Sequence, residues 1–429
     1  MFKKIFLCFV ILTQAGLAIA QNYAYVINGS SETLSRIDLE TGQVQNHIVT
    51  LGAVPYHIIC ANERLYVVNS FSPSLMVINP VNNSIEREIQ LPLNSNPWNV
   101  AVDGNFAYVT GLARNSVYKL DLIQGTIANT YAAGLSPEGV IVSGNRLYVT
   151  NTGFDPYDLT YGQGSVSILD INNGIELERV NVSKNPQALA VDPDGFINVI
   201  CTGDYSSVTG MIYFIDPEGM TALDSIATGG NPIYPVISSA GIGYIAAGGW
   251  ANAGHVYSYD AIERILLRGD NNPIEVSVGA MGIALDSLGY LYSCGQIANS
   301  VTKFNSAGSI IRTYNVGAGP LSIAIMDNRT SIDEAISVPQ NFAFKSPYPN
   351  PFNSSVVIPF EGQTGAEAII EIVDITGRLV RELSILPENS IRHNVIWNGA
   401  DCDGYNVASG VYCARLAGIS PAAKMVLLR

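Results

Sequence analysis

Apolar and polar residues alternate along most of this 429-residue chain in short runs of strand period, and one run returns seven times. Its copies are Tyr25-Val26-Ile27-Asn28, Tyr66-Val67-Val68-Asn69, Tyr108-Val109-Thr110-Gly111, Tyr148-Val149-Thr150-Asn151, Asn198-Val199-Ile200-Cys201, Tyr244-Ile245-Ala246-Ala247 and Tyr292-Ser293-Cys294-Gly295. Successive copies lie 41, 42, 40, 50, 46 and 48 residues apart, which is the period of a four-stranded propeller blade.

Three further strand signatures keep fixed places around each copy. Upstream is an apolar strand opened by proline, at Pro55, Pro97, Pro137, Pro186, Pro232 and Pro320, with Ala280 in the remaining place. Proline can open a strand because the first position need not donate to the ladder. Turn pairs such as Asp103-Gly104, Gly144-Asn145 and Asp194-Gly195 join this strand to the Tyr phrase. The run Asp192-Pro193-Asp194-Gly195 has a trace of calcium-loop character but lacks the further acids such a loop needs, and reads as a turn. After the Tyr phrase comes a third strand ending in an acid or amide, at Asp38, Asn79, Asp121, Asp170, Asp216, Asp260 and Asn305, and then a more polar fourth strand.

The first unit begins at its Tyr phrase with no proline-led strand before it, whereas residues 320 to 326 follow the seventh unit with no Tyr phrase after them. The spare strand therefore completes the first blade and closes a ring of seven, leaving no free sheet edge. Together the Tyr-Val-x-Asn phrase, the proline-led strand and the Ile-Asp ending resemble the YVTN-type seven-bladed propeller repeats of exported bacterial proteins over about residues 22 to 328. Such propellers serve binding, scaffolding and some enzymes, so the resemblance implies a fold rather than a reaction.

The repeat stops after Asp327, and a polar linker is expected over 329–343. Three prolines in five residues, Pro347, Pro349 and Pro351, then fix an extended entry. About seven short strands follow, from Ser355 onward, which predicts a small Ig-like sandwich over 344–429 with Ile370, Ile372, Val395, Trp397 and Val411 in its core. These residues also resemble the type A C-terminal sorting domain of the type IX secretion system. The matching motifs are Tyr348-Pro349-Asn350-Pro351-Phe352-Asn353, Ile372 to Arg378 with Gly377, Trp397-Asn398-Gly399, Asp403-Gly404, Val407 to Tyr412 with Gly410, and Lys424 to Leu428. Thr376, Asn398 and Cys413 depart from the usual residues. The resemblance implies two-step export to the cell surface or medium, with the type IX machinery as partner.

The first twenty residues agree with that destination. Lys3 and Lys4 precede an apolar run ending in Ala18-Ile19-Ala20, the pattern of a signal peptide cleaved before Gln21. No later segment has the ~18 apolar residues of a membrane helix. Removing the signal takes away two of 22 basic residues and none of 36 acids, leaving 20 − 36 = −16, which disfavours nucleic acid and anionic membrane as partners. Five of the six cysteines remain. Cys402 and Cys413 flank a turn and could face each other, while Cys60, Cys201 and Cys294 fall in or beside strand phrases as small hydrophobes.

Candidate chemistry gathers on one rim. From the Tyr phrase to the third strand is nine residues in four units, but 18, 14 and 12 in blades four to six. In an up-and-down blade this loop shares a rim with the start of the proline-led strand. On that rim the sequence places Asp155, Tyr157, Asp158, Tyr161, Tyr205, Trp250 and His255 from the loops, and Tyr56, His57, Trp98, Asn99, Glu138, Gln187 and Tyr234 from the proline-led segments. Aromatics around a funnel with a few carboxylates suit a glycan, a peptide or a surface protein. No cofactor motif is present. The competing expectation is a metal-assisted lyase or lactonase with Glu138, Asp155 and His255 around a divalent ion. A third is a structural propeller without a specific ligand.

Overall fold

The computed structural model describes residues 22–248, 254–327, 343–361, 368–374, 378–385, 392–402, 404–416 and 423–429. The expected signal peptide lies outside the described residues, as do Trp250 and Gly377. The chain is all-β and divides into two compact units, Met1–Arg329 and Thr330–Arg429. Among the described residues no helix is long and apolar enough to cross a membrane.

The first unit is a ring of seven four-stranded antiparallel sheets, one of which gains a short extra strand, Ile274–Glu275. Six blades run in chain order from an inner proline-led strand outward. The inner strands are Pro55–Ala61, Pro97–Asp103, Pro137–Ser143, Pro186–Val191, Pro232–Ile237 and Ala280–Leu285. Blade one instead takes its inner strand from the far end of the unit: Asn22–Asn28 pairs with Pro320–Asp327, Tyr25 opposite Ala324. Each inner strand lies against the next around the ring, and Pro320–Asp327 lies against the inner strands of blades two and seven. Seven copies and a borrowed strand, read from the sequence, are thus what the chain builds.

The repeated residues each have a mechanical part. The phrase tyrosines are buried in the cores between blades: Tyr25, Tyr108, Tyr148 and Tyr292 are fully buried and Tyr66 and Tyr244 nearly so. The phrase asparagine brackets three segments. Asn151 Oδ1 accepts the Gly134 amide at 2.8 Å, and its Nδ2 donates to Ser165 Oγ and Ser167 Oγ at 3.1 and 2.9 Å. Asn69 repeats this with the Gly52 amide and Ser74 Oγ. Glycine is required three residues before the proline in these blades, because a Cβ at Gly52 or Gly134 would stand 2.6 or 2.5 Å from the bracket side chain. The acid or amide ending strand three caps the turn into strand four, as when Asp121 Oδ1 accepts the amides of Ile123 and Gln124. Asp192 does the same for Asp194 and Phe196, so the run after it is a turn.

The start of each inner strand is irregular in one repeated way. The residue before the proline position is left-handed at Val54, Asn96, Ser136, Asn185, Gly279 and Gly319. The pairing with the Tyr-phrase strand then slips: between Pro55 and His57, Pro97 and Val100, Pro137 and Val140, Pro186 and Ala188, Pro232 and Pro235, and Ala280 and Ile283. These are β-bulges, which re-aim side chains at the end of a sheet.

The second unit is a two-sheet sandwich. One sheet orders Ala343–Phe344, Val356–Glu361 and Arg392–Trp397; the other orders Leu379–Ile385, Ala368–Asp374, Gly410–Leu416 and Ala423–Leu427. Val356, Ile358 and Trp397 of the first meet Ile370, Ile372, Ala414, Met425 and Leu427 of the second in one core. Val395 is only partly buried against it. Cys402 and Cys413 are both free thiols, with Cys402 Sγ directed at the Val380 carbonyl, 3.4 Å away; the facing pair considered from sequence forms no bridge.

Two substitutions test this account of the repeat. Asn151→Ala removes three buried hydrogen bonds and strands the Gly134 amide, so urea denaturation should show a loss of about 2–3 kcal/mol; a loss below ~0.5 kcal/mol would mean that the bracket is dispensable. Val54 is a half-exposed β-branched residue held at φ 53°, so Val54→Asn should raise stability by about 1 kcal/mol, and a neutral or destabilising result would contradict strain at that site.

Candidate functional site

Because the bulge recurs in every blade, the residue after the proline position falls at the same height seven times. The set is Tyr56, Trp98, Glu138, Gln187, Ile233, Met281 and Leu321. The first six line a single cavity of about 480 Å³ at the channel mouth. The loops complete the wall with Asn96, Leu112, Phe154, Tyr161 and Tyr205.

One step deeper stand His57, Asn99, Gly139, Ala188, Tyr234, Gly282 and Ser322. Ala188, Ile233, Tyr234, Met281 and Leu321 pack together, with Tyr56 against them, and floor the mouth. Two positions of this deeper ring must be glycine, since a Cβ at Gly139 would lie 2.8 Å from the Gln187 carbonyl and one at Gly282 2.7 Å from that of Leu321. The Gly139 amide donates to Thr150 Oγ1 at 2.7 Å, and the Asn99 amide to Thr110 Oγ1 at 3.0 Å, so the threonines of the Tyr phrases satisfy bulge amides that the ladder leaves out.

Aromatic rings dominate the wall. Tyr56 and Trp98 have ring centroids 3.8 Å apart, and Phe154, Tyr161 and Tyr205 form a chain with steps of 5.1 and 6.0 Å. Phe154 and Tyr161 face each other because the blade-four insertion folds as a small hairpin, Phe154–Asp155 pairing with Thr160–Tyr161. Tyr205 is anchored by Gln187 Nε2, which donates to its hydroxyl at 3.3 Å.

Glu138 is the polar exception, 4% exposed. Burial pushes its carboxyl up to about 8, and the nearby Trp98 indole only tempers the rise. The indole N–H is not in hydrogen-bonding geometry: both Trp98 Nε1 and Glu138 Oε2 are buried without a partner. His57 stacks on Tyr234 with centroids 5.6 Å apart, and its Nδ1 lies 3.3 Å from Ser322 Oγ. The ring is half-buried by its own surface but surrounded by protein, and that desolvation lowers its pKa to about 4.

Of the residues expected on this rim, Tyr56, Trp98, Glu138, Tyr161, Gln187 and Tyr205 come together in the cavity wall. His57 and Tyr234 sit in the ring below, and Asn99 is buried, its Oδ1 taking the Val100 amide. Asp155 Oδ1 accepts the amides of Tyr157 and Asp158, which places Tyr157, 94% exposed, at the hairpin tip. His255 lies away from the wall, 3.5 Å from Glu275 Oε1 across the extra strand of blade six. Glu138, Asp155 and His255 therefore do not gather, and among the described residues no three His, Cys, Asp or Glu side chains form a metal-holding group. Phe154, Leu112, Asn96, Ile233 and Met281 were not foreseen. The last two stand one place after Pro232 and Ala280, so the register that marks Trp98 and Glu138 would have found them.

In the second unit the sorting-motif residues lock the chain's end in place. Asn350, between Pro349 and Pro351, donates from Nδ2 to the Lys424 carbonyl and accepts the Val426 amide, both at 2.8 Å. Phe352 is buried, exchanges backbone bonds with Val426 and Leu428, and packs on Trp397, whereas Asn353 is exposed. Trp397 Nε1 donates to the Ala400 carbonyl at 2.9 Å, and its ring meets that of Tyr412, whose strand opens at Gly410. Lys424 is exposed on the final strand.

Comparison with known proteins separates the two units. No curated protein matches the sequence, and no YVTN repeat family is matched over the propeller. Solved structures similar to the chain include the hydrazine synthase of Kuenenia stuttgartiensis (18% identity, TM-score 0.54, covering 63% of this chain and 89% of that one). Two more are a functionally unknown protein from Desulfotomaculum acetoxidans (17%, 0.55, 71% and 98%) and a candidate 6-phosphogluconolactonase from Bacteroides uniformis (14%, 0.55, 71% and 99%). At these identities the likeness is one of fold. Residues 346–421 match the secretion system C-terminal sorting domain, and that domain marks the chain for export to the cell surface or for secretion.

Proposed function

We propose that this is an exported binding protein of the YVTN propeller type, carried out by type IX secretion, whose ligand sits in the channel mouth. A peptide, a glycan or a loop of a surface protein fits a cavity of this size and aromatic content. The observation that carries the reading is the wall itself: stacked aromatic rings beside a buried carboxyl whose Oε2 has no hydrogen-bond partner. A fold under selection for stability alone would not retain such a carboxyl, since an uncompensated buried acid is costly. The boundaries that go with this reading are a signal over 1–20, a propeller over 21–328, a linker over 329–343 and an Ig-like sorting domain over 344–429.

The stability cost has a definite pH signature. Glu138 ionises near 8 in the folded chain against an ordinary 4.5, so folding loses up to about 1.4 kcal/mol per pH unit between those values and nothing further above 8. His57 ionises near 4 against 6.5 and opposes this slope below pH 6.5. Chemical denaturation should therefore show stability falling by about 2 kcal/mol from pH 6.5 to 8, and Glu138→Gln should abolish that fall. A wild-type profile as flat as that of the variant would mean that Glu138 is solvated.

Binding itself is tested by glycan and peptide arrays probed with the mature chain, followed by titration of any positive. Trp98→Ala and Tyr161→Ala should each weaken that ligand tenfold or more, with Tyr157→Ala giving a smaller effect from the hairpin tip. Unchanged affinity in both wall variants would remove the mouth as the site.

A further inference from the structure

Among the described residues Glu138 is the one lining residue that can carry charge near neutral pH. The other ten are five aromatics, two amides and three apolar side chains, with no lysine, arginine or histidine among them. Nearby basic groups are engaged or set deeper: Lys184 Nζ pairs with Asp204 at 3.0 Å, and His57 lies in the ring below against Tyr234 and Ser322. The titratable groups that feel Glu138 are the phenols of Tyr56, Tyr161, Tyr205 and Tyr234, each held in its neutral form by burial. Among the described residues only the Trp98 indole tempers a negative charge at this point, whereas the surrounding rings would attract a positive one.

We infer that the mouth receives an ammonium group, with Glu138 as its counter-ion and the rings of Tyr56, Trp98 and Tyr161 around it. This deepens the binding reading above and rests on it. A cavity of about 480 Å³ is far larger than an ammonium alone, so the group arrives on a larger body. A lysine side chain, a choline group and an amino sugar share this chemistry. A neutral ligand can only hydrogen-bond the neutral acid and leaves its raised ionisation in place. A cation restores the charged form, and the proton goes to solvent.

The test is calorimetric titration of the full mature chain at pH 7 in two buffers of different ionisation enthalpy. The probes are a capped lysine peptide, the same peptide acetylated on the lysine, glucosamine, N-acetylglucosamine, and choline. At least one charged probe should bind tenfold or more tighter than its acetylated partner, or, for choline, than 3,3-dimethylbutanol. Its binding should release close to one proton, and its affinity should rise up to tenfold per pH unit below about 8 and level off above. Glu138→Gln, checked for folding by its melt, should lose the preference and release no proton.

Two results overturn the inference in distinguishable ways. If acetylated or otherwise neutral ligands bind wild type and Glu138→Gln alike, or the arrays return only neutral or acidic ligands, the mouth is a binding site but not a cation site. If neither probes nor arrays bind, the reading of the mouth falls with it.

Discussion

The propeller depends on one pairing between its two ends. Bringing Asn22–Asn28 against Pro320–Asp327 closes a loop of nearly 300 residues, at an entropic cost of about 5 kcal/mol beyond a constant. The backbone ladder alone would struggle to offset that. The pairing also completes two inter-blade cores: Tyr25 and Ile27 join Ala324 and Met326 against blade two, while Ala24, Val26 and Ile323 pack against Tyr292 and Val301 of blade seven. Removing the strand would open both cores and expose two sheet faces at once. Every other blade is held by neighbours in sequence, so the ring is only as closed as this contact.

Closure also sets the mouth, since seven inner strands must meet a common axis with little room. A bulge in every inner strand, preceded in six of the seven by a left-handed residue, gives the strands a common approach. Side chains at a single sequence offset then face one another across the channel. The repetition supplies geometry and leaves chemistry free to vary. One arc of the mouth, from blades six, seven and one, offers Ile233, Met281 and Leu321; the arc from blades two to five offers Tyr56, Trp98, Glu138 and Gln187. The insertions of blades four and five extend the second arc with Phe154, Tyr161 and Tyr205.

Much of this was legible in the chain because repetition amplifies weak local signals. A single Tyr-Val-x-Asn says little, but seven at a blade's spacing fix the sheet count, and a missing strand at one end with a spare at the other fixes the closure. Site residues were less legible. Trp98, Glu138 and Tyr161 follow from register and from loop length, but aromatics and carboxylates draw the eye, so Ile233 and Met281 in the same register were passed over. His255 is absent from the cavity wall for a different reason. The extra strand Ile274–Glu275, which the repeat does not announce, pairs His255 with Glu275. Cys402 and Cys413 are close in sequence, a property that says nothing about whether their Cβ vectors converge.

The burial of a single carboxyl could not be read from the chain, and burial is what sets Glu138 apart. Acids elsewhere in the propeller are put to structural use: Asp38, Asp121, Asp170, Asp216 and Asp260 cap turns, and Asp204 takes three amides and Lys184, which hold its carboxyl well below the usual range. Each of these carboxylates accepts hydrogen bonds from donors that the fold supplies. Glu138 has none at Oε2, and its burial favours the neutral acid. Gly139 shows how tightly the adjoining backbone is packed, and Thr110 Oγ1 donates to the Glu138 carbonyl at 2.6 Å, so that carbonyl is engaged while Oε2 of the side chain is not. A glutamine in the same place would keep the backbone bonds and avoid the cost of ionisation. Under the binding function proposed above, the carboxyl answers to what enters the mouth rather than to the fold that forms it.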